Sequence, residues 1–157
     1  MLDSRDLDRM KLVYADEIGV LLRRNHKKTL GTSALASCYA WALYFPKERA
    51  AALSHVHFYK PMKIFVSLLR AGYPHLADSE CEYTVIDGMH PTQFEAHAGN
   101  RNPEMIKSYF PNCKPSPYHP LSVSTSFDVV SISKNTGEVK ADSPKDLKEA
   151  LDEINQV

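Results

Sequence analysis

Little in this sequence marks a special environment. Its three cysteines among 157 residues have no repeated spacing, which argues against a disulfide framework and fits a reducing compartment. Net charge is zero with His neutral, 19 Lys and Arg against 19 Asp and Glu, so no global field steers the chain toward nucleic acid or an anionic membrane. The one dense basic stretch, Arg23-Arg24-Asn25-His26-Lys27-Lys28, is flanked by apolar segments and reads as a solvated loop. No apolar run approaches the roughly 20 residues that a bilayer-spanning helix needs, so membrane insertion is not expected. The opening Met1-Leu2-Asp3-Ser4-Arg5-Asp6 is acidic and polar, without the apolar core of a signal peptide. The expected compartment is the cytoplasm, with a secreted effector lacking a cleavable signal as the alternative. Walker, G-x-S-x-G and G-x-G-x-x-G motifs are absent, which removes the commonest nucleotide-binding and serine-hydrolase readings.

Apolar content and length suit one domain over residues 1–157 with a substantial core. Residues 1–10 read as a weak helix or frayed end, and Leu12 to Leu22 as one or two short strands broken at Asp16-Glu17 and Gly19. Tyr39 to Phe45, the turn Pro46-Lys47-Glu48-Arg49 and Ala50 to His57 form a β-hairpin. Its first strand alternates small residues (Cys38, Ala40, Ala42) with bulky ones (Tyr39, Trp41, Leu43, Phe45), so one face admits a close layer and the other fills a core. Pro61 to Ala71 reads as a helix with the stripe Met62, Phe65, Val66, Leu69 and Gly72 at its end. Glu82 to Asp87 is a strand; Asn102-Pro103 opens a helix to about Phe110; Pro111 to Pro120, with four prolines, is a loop. Phe127 to Ser133 and Glu138 to Lys140 flank the hairpin turn Lys134-Asn135-Thr136-Gly137, and Ser143-Pro144 opens a last amphipathic helix. Irregular alternation of strands and helices, with hairpins dominating, points to an α/β or α+β sandwich with a mostly antiparallel or mixed sheet.

The chemistry concentrates at Cys38 and His55. If Phe45 pairs with Ala50, Cys38 lies opposite His57 with His55 one diagonal step away; if the turn starts one residue earlier, Cys38 faces His55 directly. Both registers put the thiol and the imidazoles on one face, within reach across strands. A Cys beside a His is the minimum kit for a thiolate nucleophile, which the imidazolium would stabilise. A zinc reading of Cys38, His55 and His57 competes, but the histidines at 75, 90, 97 and 119 show no ligand spacing and no C-x-x-C is present. No metal or cofactor is expected. Cys81 and Cys113 read as packing thiols.

The stretch Thr32 to Val56 resembles the core of the CheD family, the chemoreceptor glutamine deamidases, related to the cytotoxic-necrotizing-factor-like bacterial deamidases. The matching residues are Thr32, Leu35-Ala36-Ser37-Cys38, the apolar strand Tyr39 to Phe45, Pro46 and Ser54-His55, with no gap. Weaker similarity follows at Pro61 to Gly72, Glu82 to Gly88, Gly99-Asn100-Arg101-Asn102-Pro103-Glu104 and Ser131 to Lys140, so it covers about residues 11–140. The C-terminal helix at about 144–155 is additional. The resemblance implies a three-layer α/β/α sandwich, a catalytic Cys38, His55 and Thr32, and hydrolysis of a protein glutamine to glutamate through a Cys thioester. Backbone amides of Ser37 and Cys38 would hold the oxyanion.

The sequence departs from the family pattern where a substrate groove would lie. Ala36 stands in place of a glycine, Asp87-Gly88-Met89-His90-Pro91-Thr92-Gln93-Phe94 replaces a Gly-Gly-Ala region, and Val56-His57-Phe58-Tyr59 replaces an apolar run. His57, His90 and Phe94 are therefore groove candidates. The expected partner is a protein bearing a surface glutamine, a chemoreceptor first, with a signalling partner protein as a further possibility. The same acyl-enzyme would also serve a deamidase or transglutaminase effector acting on another protein, and a non-catalytic adaptor could keep the fold.

Overall fold

A computed structural model describes residues 4–33, 35–89, 99–125 and 127–142. In chain order its elements are α1 (Ser4–Asp8), β1 (Met10–Leu12), β2 (Glu17–Leu21), β3 (Thr29–Thr32), β4 (Cys38–Phe45), β5 (Ala50–His57), α2 (Met62–Gly72), β6 (Cys81–Asp87), β7 (Cys113–Pro115), β8 (Leu121–Ser122), β9 (Val129–Ser133) and β10 (Val139–Asp142). Short 3-10 turns cover Pro74–Leu76 and Pro103–Ser108.

Two mixed sheets result. The larger runs β2-β5-β4-β6-β7, with β8 also beside β6; the smaller runs β1-β3-β9-β10. Pairings are antiparallel except β1 with β3 and β6 with β7 and β8. The alternation along β4 decides which layer covers which face. Tyr39, Trp41, Leu43 and Phe45 share a core with Met62, Phe65, Val66 and Leu69 of α2. Burying each of those four helix side chains stabilises the fold by about 1.5–3 kcal/mol. On the opposite face Cys38, Ala40 and Ala42 share a second core with Leu30, Val130, Ile132 and Val139 of the smaller sheet. Short side chains on β4 and β5 let the two sheets close on each other.

The mixed α/β character expected from the sequence is present, with strands dominating and few helices. Among the described residues, one face of the larger sheet carries α2 and the other carries the smaller sheet. The helix expected over about 144–155 lies outside the described residues. The four-proline stretch is not all loop, because Cys113–Pro115 adds β7 at the sheet edge, where a proline costs no ladder bond. Asn102 does act as an N-cap, accepting the Glu104 N–H at 3.1 Å, but Pro103–Ser108 winds as a 3-10 helix. Among the described residues no helix is long and apolar enough to cross a membrane.

The basic stretch after β2 is anchored from an unexpected place. Lys134, in the β9–β10 turn, is buried, and its ammonium donates to the carbonyls of Leu22 and Arg23 at 3.2 Å each and to that of Asn25. Three carbonyls replace the water that a buried cation would otherwise lose. This ties the β2–β3 loop to the β9–β10 turn beside the start of β3, where Thr29 pairs with Ser133.

Candidate active site

The β4–β5 hairpin adopts the first of the two registers: Phe45 pairs with Ala50, Ala40 with His55 and Cys38 with His57. Cys38, His55 and His57 therefore share the face turned toward the smaller sheet, with His55 one diagonal step from Cys38. Cys38 and His55 are both buried, 5% and 4% exposed. His57 is half-buried, its side chain 35% exposed, and stands where the site meets solvent.

Thr32 enters from the other sheet. Its Oγ1 lies 2.7 Å from His55 Nδ1 and 2.7 Å from the Val13 carbonyl oxygen. A carbonyl only accepts, so the single Thr32 hydroxyl proton goes to Val13 and Oγ1 accepts from His55 Nδ1–H. That fixes the neutral imidazole as the Nδ1–H tautomer and leaves Nε2 as the basic nitrogen. Burial, and the neighbouring His57, hold the His55 pKa below its ordinary value against a smaller opposing pull from Asp16.

Asp16 is the residue that sequence reasoning missed. It appears there only as a break between two short strands. In the structure it adopts φ 60°, a left-handed conformation that Asp tolerates better than most residues, and its N–H donates to the His55 carbonyl at 2.6 Å. Its Oδ2 accepts from His57 Nδ1 at 2.9 Å and from Lys60 Nζ at 2.6 Å, and its Oδ1 from the His57 N–H at 3.3 Å. Burial alone would raise the carboxyl, but these donors outweigh it and hold it below the ordinary carboxylate range.

The thiol departs from the expected thiolate–imidazolium pair. Burial pushes Cys38 up to about 11, and the Asp16 carboxylate adds to the shift. Burial thus disfavours the charged form of both groups, the thiolate of Cys38 and the imidazolium of His55. Cys38 leads out of the Ala36-Ser37 bend, and Gly88 lies directly beneath it. A Cβ at Gly88 would sit 2.1 Å from the Cys38 oxygen and 2.2 Å from that of Leu35, so only glycine allows this approach.

The groove candidates His90 and Phe94 lie outside the described residues; His57 sits beside Cys38. His119 is used structurally, its Nδ1 accepting the Val85 N–H at 3.1 Å. Cys81 and Cys113 pair in register across β6 and β7 in the helix-side core, away from Cys38. Among the described residues no group of three or more His, Cys, Asp or Glu side chains is arranged to hold a metal ion. Scanning the sequence against protein-family models and against curated proteins finds no match.

Proposed function

We propose that this chain is a cysteine-dependent protein-glutamine deamidase of the CheD-like kind, with Cys38 as nucleophile, His55 as base and Thr32 as the group orienting it. The observation that carries the reading is the Thr32–His55 hydrogen bond. The family resemblance singles out Thr32, Cys38 and His55 together; Thr32 and His55 are 23 residues apart and on separate sheets, yet the hydroxyl anchors the ring nitrogen opposite the one a base would use. A third group that fixes a tautomer is the role such a residue has in catalytic triads.

In this mechanism His55 Nε2 takes the Cys38 proton and the sulfur attacks the side-chain carboxamide carbon of a glutamine. The amides of Ser37 and Cys38 hold the oxygen that becomes negative. In support, the Phe58 N–H donates to the Ser37 carbonyl, which makes Cys38–His57 a non-hydrogen-bonded pair and turns the Cys38 N–H away from β5. Proton transfer to nitrogen releases ammonia, and water hydrolyses the thioester to glutamate and free thiol. A buried thiol with a half-buried histidine at its mouth suits a slender side-chain amide, and a backbone peptide bond less well. The reading also carries a three-layer α/β/α architecture, which needs a helical layer beyond those among the described residues.

The substrate assigned is a glutamine on a cytoplasmic chemoreceptor helix. A deamidase or transglutaminase acting on another protein, including as a secreted effector, would use the same acyl-enzyme. One observation favours an idle adaptor instead: the Cys38 thiol is raised and, among the described residues, takes no hydrogen bond. Ammonia release on incubation with purified receptor cytoplasmic domains, wild type against Cys38→Ser, separates the two. The deamidase releases ammonia with the wild type only, and the adaptor with neither.

A further inference from the structure

Two imidazoles, not one, share the sheet face with Cys38. His57 is its direct cross-strand partner, in the non-hydrogen-bonded kind of pair, where Cα atoms approach to about 4.5 Å and side chains are closest. His55 is the diagonal neighbour. Each ring is anchored through Nδ1, His55 by the Thr32 hydroxyl and His57 by the Asp16 carboxylate. Each therefore keeps Nε2 for chemistry.

The anchors differ in charge, and the difference matters. A hydroxyl that has given its proton to Val13 accepts from a neutral ring without any charge to stabilise an imidazolium. The ionised carboxylate of Asp16 instead accepts the His57 Nδ1–H while carrying a full negative charge beside the ring. Asp16 is itself fixed on four sides, by Lys60, by both nitrogens offered from His57 and by its own N–H on the His55 carbonyl. Its position is thus coupled to both histidines.

We propose that His57, anchored by Asp16, is a second catalytic acid–base group at Cys38, dividing the proton transfers with His55. The proposal deepens the deamidase reading and rests on it. In the first half-reaction His55 Nε2 takes the Cys38 proton, a carbon–sulfur bond forms, and protonated His57 gives its Nε2 proton to the departing nitrogen as the carbon–nitrogen bond breaks. Ammonia leaves, with His55 protonated and His57 neutral. In the second half-reaction His57 takes a proton from the attacking water, the carbon–sulfur bond breaks, and His55 returns its proton to the thiolate. Both rings regain their starting states; one carboxamide and one water have become one carboxylic acid and one ammonia.

The test measures Gln-to-Glu conversion by mass spectrometry in a proteome extract treated with wild type, His57→Ala, Asp16→Asn or His55→Ala. Thermal melting and circular dichroism check that each variant is folded. His57→Ala is expected to slow conversion by roughly 10²–10⁴-fold, the usual worth of a positioned acid–base group, and added free imidazole is expected to recover part of the loss. Asp16→Asn, which keeps the shape of the anchor but not its charge, is expected to slow conversion by less. Wild-type rates from His57→Ala, a loss that imidazole does not recover, or wild-type rates from His55→Ala would each overturn the division of labour while leaving deamidation in place. No conversion by the wild type in the extract would overturn the deamidase reading, and the two-imidazole scheme with it.

Discussion

Thr32 and His55 belong to different sheets and meet at 2.7 Å across the seam between them. The site is thus built on the packing of the two sheets rather than within either. Val13, just past the end of β1, completes it by accepting the Thr32 proton. Anything that shifts the smaller sheet shifts the tautomer-fixing group, so fold and chemistry are coupled at this contact.

Replacing Thr32 by Val keeps its shape and removes the hydroxyl. Two buried polar groups, the Val13 carbonyl and His55 Nδ1–H, then lack a partner, each at a cost of about 1–3 kcal/mol. Chemical denaturation is expected to show that loss, and turnover to fall by up to about 10²-fold as the ring leaves its productive position. Thr32→Ser is expected to retain most of both, and Ser33→Ala, with no part in the contact, to change turnover less than Thr32→Ala.

Cys38 reactivity is expected to climb steadily with pH. Burial pushes its thiol up to about 11, which leaves little thiolate at neutral pH, and the thiolate is what alkylates. Iodoacetamide labelling followed by mass spectrometry is expected to rise through pH 10 without a neutral plateau. Asp16→Asn, by removing the negative charge that adds to the shift, is expected to accelerate it. Cys81, raised further by its contact with the Cys113 thiol and by burial, is expected to label after Cys38.

Much of the fold was legible in the amino-acid sequence, and the reasons are local. The period-two alternation in β4 and the apolar stripe of α2 report burial directly, so the hairpin, the helix and the two faces of β4 follow from side-chain size. Cys38 and His55 share a face because strand geometry requires it in either register. The register itself was not legible, since a turn that starts one residue earlier satisfies the same pattern. Asp16 gave no signal, because its role arises from a left-handed backbone and from partners some 40 residues away. In the second sheet the β9–β10 hairpin was legible from its turn, but β3 was not, being four residues long and paired with strands distant in sequence.

Acid is expected to loosen the site through Asp16. Its carboxyl is held below the ordinary 3.8 in the folded chain, so folding favours the ionised form. That contribution is fully present above about pH 4 and is lost as pH falls through the lower folded value. Wild type is expected to lose stability on that descent, in denaturation curves from pH 6 to 2, more steeply than Asp16→Asn, which lacks the group.

Gly88→Ala is expected to damage the nucleophile's support. The added methyl would meet two backbone oxygens, of Cys38 and Leu35, far inside contact distance, and backbone cannot swing aside as a side chain can. A drop in melting temperature and loss of turnover are expected together, where Gly72→Ala, with open space around its Cβ position, leaves turnover unchanged.

The most direct test of the deamidase account is to incubate purified chemoreceptor cytoplasmic domains with wild type or Cys38→Ser and map Gln-to-Glu changes by mass spectrometry. The account expects conversion at defined surface glutamines with the wild type and none with Cys38→Ser. Conversion in a different protein only would keep the chemistry and move the target. Equal conversion by both forms, or none by the wild type in any protein supplied, would contradict it.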